Sequence, residues 1–191
     1  GVTISSARTV TLGAGGGTFT SNTGAMSVAG VVSGAGDLTI TGAGNVTFSG
    51  TNTYTGETNI SGGTLVVSSN AHLGNVNSDI NFNGGTLQSS GTTTMTNGRN
   101  ITLNGVGGTF NVTPGTTSAA GVIDGLGALT NSGAGTLSLT GANTYSGGTT
   151  ISGGILQVTT ASMQGNVTNN ANLTFNQTTT GSYTGDISGT G

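Results

Sequence analysis

Slid along itself by 91 positions, the sequence matches without a gap: residues 8–74 align on residues 99–165 with 32 of 67 positions identical. In a composition this biased, chance would give roughly one identity in eight. Arg8 falls on Arg99, Gly16-Gly17-Thr18-Phe19 on Gly107-Gly108-Thr109-Phe110, Asn52-Thr53-Tyr54 on Asn143-Thr144-Tyr145, and Ile60 to Gly63 on Ile151 to Gly154. The apolar class survives at most alternating sites, as in Val10 with Ile101, Val46 with Leu137 and Phe48 with Leu139. Ile40 opposite Asn131 is an exception. A chain that repeats in this way must fold into a shape that can continue into itself.

Within each copy, short alternating segments such as Val10-Thr11-Leu12, Leu38-Thr39-Ile40, Val46-Thr47-Phe48 and Leu137-Ser138-Leu139 read as strands with one apolar face. Gly-rich corners separate them. Elements ending in Thr-Leu return every 22 to 27 residues at Leu38, Leu65 and Leu87, and again at Leu129 and Leu156. That period suits one coil of a parallel β-solenoid, whereas a hairpin sandwich would show turn signals every 8 to 12 residues or so. The pattern predicts an all-β parallel β-helix of about eight coils, four to a unit, forming a rod roughly 40 Å long. Residues 1–191 form a single segment: unit one over 8–98, unit two over 99–184, and the start of a third over 185–191. Leu38, Val46, Phe48, Ile60, Leu65 and Val67, with Leu129, Leu137, Leu139, Ile151, Leu156 and Val158, are expected to point inward. Helices are not expected, because poor helix formers dominate and no 3.6-residue period occurs.

Composition narrows function. The chain holds 39 Gly and 39 Thr, no Lys or Cys, and only Arg8 and Arg99 as cations against five carboxylates, for a net charge of −3. Nucleic-acid binding and a basic membrane-surface face are excluded. Disulfides, zinc clusters and thiol chemistry are absent with Cys. No apolar run reaches the 18 or so residues of a membrane helix.

Candidate chemistry is sparse. His72 is the only His, and its repeat partner is Met163, so a Ser-His-acid arrangement is not expected. Asp37, Asp79, Asp124, Asp186 and Glu57 read as isolated acids on faces or corners; the duplication pairs Asp37 with Ala128, Asp79 with Asn170, Asp124 with Ser33 and Glu57 with Gly148. Gly34-Ala35-Gly36-Asp37 is one partial match to a calcium-coiling repeat that works only in tandem. Arg8 and Arg99 share one repeat position, which suggests a common task such as bonding corner carbonyls. Tyr54 and Tyr145 read as corner-packing rings with wet hydroxyls. Thr-x-Thr pairs such as Thr9 with Thr11 and Thr39 with Thr41 raise an ice-binding face, but their repeat counterparts do not preserve the pair. Asn-x-Thr/Ser triplets at Asn45, Asn59, Asn100, Asn111 and Asn166 follow from composition. No catalytic, cofactor-binding or metal-binding residue is expected, and no enzymatic activity.

The stretch from Gly133 to Val158, GAGTLSLTGANTYSGGTTISGGILQV, closely resembles the passenger-associated repeat of bacterial autotransporters, and Gly42 to Val67 is its second copy. The short Gly-x-Ile/Val-x-Gly-x-Gly element that often opens this pattern occurs at Gly30–Gly36, Gly121–Gly127 and Gly185–Gly191. Glu57 stands where a second Gly is usual. The resemblance implies a right-handed parallel β-helix displayed on or released from a Gram-negative surface: a stalk or adhesin segment, or alternatively a filament-forming unit. The partners expected are the neighbouring coils of a longer passenger, further copies end to end, and host or surface glycans or proteins, with no membrane insertion of this segment. Val2, Ile4 and Ile187 continue the strand pattern at the ends, where association or fraying is expected.

Overall fold

The computed structural model describes all 191 residues. The alternating segments stack as parallel strands on three faces of one solenoid. Face 1 is unbroken, with ten strands: Val2–Ile4, Ala25–Val28, Asn45–Phe48, Thr64–Val67, Thr86–Ser89, Gly108–Val112, Leu129–Gly133, Thr149–Ile151, Val167–Asn169 and Ile187–Ser188. Face 2 opens with Val10–Leu12 and Val32–Gly34, loses strand geometry over 51–78, and resumes with Thr93–Met95, Thr116–Ala119, Thr136–Leu139, Ile155–Val158 and Asn172–Phe175. Face 3 carries Gly17–Ser21, Leu38–Gly42, Thr58–Ile60, Ile80–Phe82, Ile101–Leu103 and Ile123–Gly125, and then gives way to strandless chain.

The parallel β-solenoid is as the sequence predicts, but ten strands on face 1 make about nine coils rather than eight. The reason lies in the register. Stacked residues on face 1 are 18 to 24 positions apart, from Ile151 over Asn169 to Val2 over Met26. Leu65 does stack on Leu87, yet Leu38 lies on face 3 and Leu65 on face 1, so the 27-residue interval is one coil plus one further side. As expected, no α-helix forms; Asn70–Leu73 makes one short 3-10 turn, capped by the Ser69 hydroxyl accepting from the Ala71 N–H at 3.2 Å.

All twelve residues expected to point inward are at most 1% exposed, within one core cluster of 32 apolar side chains. The inner column of face 1 runs Met26, Val46, Leu65, Leu87, Phe110, Asn131, Ile151. Asn131 interrupts it. Its Nδ2 donates to the Gly153 carbonyl at 2.9 Å, but its Oδ1 is buried without a donor. Such an oxygen costs more than the single bond returns, and the neighbours above and below it in the column, Phe110 and Ile151, are apolar. Asn131→Val should therefore stabilise the protein by about 1 kcal/mol, read as a raised urea midpoint at unchanged slope.

Candidate functional site

The segment Asn52-Thr53-Tyr54, reproduced as Asn143-Thr144-Tyr145, explains its own repetition. These stretches are strandless, so a side chain replaces part of the backbone ladder. Asn52 Oδ1 accepts from the Val32 N–H at 2.9 Å while its Nδ2 donates to the His72 carbonyl, tying three successive coils together. Asn143 does the same between Ile123 and Ser162. The tyrosines differ from expectation, because their hydroxyls are not wet. Tyr54 and Tyr145 are fully buried, with hydroxyls bonded to Thr58 Oγ1 at 2.7 Å and Thr149 Oγ1 at 2.8 Å. Burial pushes Tyr54 up to about 12. Gly74, at φ +75°, lies where a Cβ would come within 2.6 Å of the Tyr54 ring, which fixes glycine there. Neither ring can stack on a ligand.

Arg99 has no solvent-exposed surface. Its guanidinium fills the loop that precedes it: Nε donates to Asn70 Oδ1 at 3.1 Å, Nη1 to the Leu73 carbonyl at 3.0 Å and to the Ser78 carbonyl, and Nη2 to the Asn75 carbonyl at 2.8 Å. The fixed fork of arginine suits this divergent set. Arg8, at the equivalent position of the repeat, is exposed and makes no side-chain hydrogen bond within this segment. In the second unit the position equivalent to the loop is closed differently, by the Tyr183 hydroxyl donating to the Gly165 carbonyl. Sequence reasoning found the carbonyl-bonding role of Arg99 but not its depth, since burial of a charge depends on the 70–78 loop, which has no periodic signal.

His72 is 9% exposed, and its Nδ1 accepts from the Ser68 N–H at 3.3 Å. Burial lowers its pKa, opposed by the Phe48 carbonyl. The folded state therefore favours neutral imidazole. The stability this gives is intact above the unfolded pKa of about 6.5 and is lost as pH falls from there toward the depressed folded value. His72→Met, which copies Met163, should flatten the urea midpoint between pH 7 and 5, where the parent declines.

The carboxylates are less isolated than they read. Asp37, Glu57 and Asp79 precede three stacked face 3 strands and so form a corner column. Asp37 Oδ1 accepts from the Glu57 N–H and Asp79 Oδ1 from the Asn100 N–H, each at 2.8 Å; Glu57 Oε2 accepts from Asn81 Nδ2 at 2.6 Å. Asn170, the repeat partner of Asp79, accepts from the Thr190 N–H at 3.3 Å. The corner needs an oxygen, not a charge. No three His, Cys, Asp or Glu side chains converge as metal ligands.

The outward side chains are mostly polar, with scattered exposed apolar residues such as Val106 and Leu126. On face 1, Thr64, Thr86, Thr109, Thr130, Thr150 and Thr168 stand in single file over six consecutive coils. The sequence hid this ladder because its members occupy different positions within the repeat. The parallel file two residues along reads Val66, Gln88, Asn111 and Ser132, too uneven for the flat face that ice binding would require. On face 3, Thr39, Asn59, Ser61, Asn81, Asn83 and Asn104 line a shallow, open, wholly uncharged depression.

Comparison with known proteins agrees with this repeat architecture. The family described as passenger-associated-transport-repeat matches residues 38–67 and 129–158, the two segments that the 91-residue offset superposes. The adhesin BmaC autotransporter of Brucella suis biovar 1 (strain 1330) is 44% identical over 138 residues, covering 70% of this chain and 4% of that protein's length. No solved structure matches. With both repeat bodies matched and the intervening coils carried by the same solenoid, the chain belongs to the autotransporter passenger repeat proteins.

Proposed function

We infer that this segment is a non-enzymatic stalk in a surface-displayed or secreted passenger, a rod that holds adhesive regions away from the cell. The observation that carries the reading is where the distinctive side chains go. Asn52, Asn143, Asp79, Asn170 and Arg99 are each consumed in bonding one coil to another. An autotransporter named as an adhesin shares this construction over a small fraction of its length, consistent with a spacer within a far larger molecule.

The test is a swap inside the full passenger. Residues 8–74 are replaced by a second copy of residues 99–165, their gap-free repeat counterpart, which is equally long but differs in its surface side chains. A stalk keeps surface display and adhesion. Loss of adhesion that only the original unit restores would move the binding activity into this segment and contradict the spacer reading.

A further inference from the structure

One carboxylate of the face 3 corner does something other than tie the corner. Asp37 and Asp79 each accept from a backbone N–H of the next coil, but Glu57 sends its carboxylate to a side chain, Asn81. Glu57 Oε2 accepts from Asn81 Nδ2 at 2.6 Å, and the same Nδ2 donates to Asn59 Oδ1 at 3.0 Å. Both amides are thereby oriented. Asn81 has spent its two N–H groups and keeps Oδ1 free as an acceptor, whereas Asn59 has committed its oxygen and keeps Nδ2 free as a donor.

This oriented pair occurs once in the segment. Counting strands and strandless sides together, 91 residues take thirteen sides of a three-sided coil, so unit-two counterparts lie one face on. The counterparts of Glu57, Asn59 and Ser61 are Gly148, Thr150 and Ser152, with neither carboxylate nor amide. Glu57 and the amides it orients therefore mark a place where the chain departs from its own repeat.

Asn59 and Asn81 are stacked neighbours, about 4.8 Å apart along the rod. With Thr39, Ser61, Asn83 and Asn104 they line the face 3 depression, whose volume of about 460 Å³ is that of a small-ligand site. Those four side chains make no hydrogen bond within the protein. The lining is neutral and contains no apolar side chain. Its surroundings are acidic: Asp37, Glu57 and Asp79 flank it at the corner, the chain has no Lys, and Arg99 is buried. An anionic ligand would meet carboxylates without a cation to offset them. A ligand whose groups each donate and accept, and carry no charge, fits amides and hydroxyls in two adjacent files.

We propose that this depression binds a neutral hexose chain, belonging to a glycan of the surface that the passenger approaches. One hydroxyl of a sugar ring donates to Asn81 Oδ1 and its neighbour accepts from Asn59 Nδ2, while Ser61, Asn83 and Asn104 serve the next ring along the rod. Glu57 is a positioning residue, acting through Asn81. With no aromatic platform for the ring to stack on, the contact is weak and auxiliary. It adds to the adhesive regions that the stalk carries, and the spacer reading does not depend on it.

The isotope-labelled segment is titrated with maltohexaose, cellohexaose, laminarihexaose and mannohexaose, with hexagalacturonate as the anionic counterpart and hexa-arginine as the basic one. The side-chain amide signals of Asn59, Asn81, Asn83 and Asn104 are followed. At least one neutral hexaose should shift them to saturation, and hexagalacturonate should not. Asn81→Ala should weaken that binding roughly tenfold. Glu57→Gly, which copies Gly148 at an exposed position, should weaken it roughly fivefold, because the ligand must then order both amides itself. Glu57→Gln still offers an acceptor to Asn81 and should bind like the parent. No saturable shift with any neutral hexaose, a response to hexa-arginine or hexagalacturonate alone, or parental affinity in Glu57→Gly would each overturn the proposal. The spacer reading would stand in every such case, since it is tested by adhesion of the whole passenger.

Discussion

Leu65→Asp should unfold the middle of the rod. Leu65 has no exposed surface and stacks between Val46 and Leu87 in the face 1 column. A carboxylate there has no donor within the apolar file, and its burial should cost several kcal/mol. Each coil contacts only its neighbours, so the loss should spread along the stack rather than stay at one strand. Thr64→Asp, one residue away and facing out, is the control and should change the midpoint little. A Leu65→Asp protein that melts like the parent would show that the inward assignment is wrong.

Arg99→Met should be nearly as damaging. The substitution keeps the aliphatic stem but leaves the Leu73, Asn75 and Ser78 carbonyls and the Asn70 side chain without their donors. Leaving such a buried network unpaired should cost about 3 kcal/mol. Amides of residues 70–78 should exchange faster before the rest of the chain does. Arg99→Lys, which keeps a charge but not the planar fork, should recover little of that loss in urea unfolding. An Arg99→Met protein with the parent's urea midpoint would contradict the claim that Arg99 holds this loop.

The sequence makes the fold legible because solenoid physics is local. Alternation gave the strands around Leu38, Val46 and Leu137, Gly marked the corners, and the 91-residue offset demanded a self-continuing shape. It hid what depends on counting sides. Leu38 and Leu65 look like successive rungs but belong to different faces, and Thr64 to Thr168 line up only once the true coil spacing is known. The exception at Asn131 becomes intelligible for the same reason. Ile40 stacks between Phe19 and Ile60 on face 3, while Asn131 sits between Phe110 and Ile151 on face 1, so the duplicated positions meet different neighbours. The buried hydroxyls of Tyr54 and Tyr145 escaped notice because their partners, Thr58 and Thr149, are four residues on, in strands whose facing cannot be read from the corner before them.

The central claim is that this segment serves as length. Parent passengers carrying one, two or three copies of the 91-residue unit can be displayed on cells, and the height of an epitope beyond the segment measured above the outer membrane. Thirteen sides of a three-sided coil predict a rise of roughly 21 Å per added unit, with display retained. A height that does not change with the number of units, or changes by the contour of an unfolded chain, would contradict a rigid stalk.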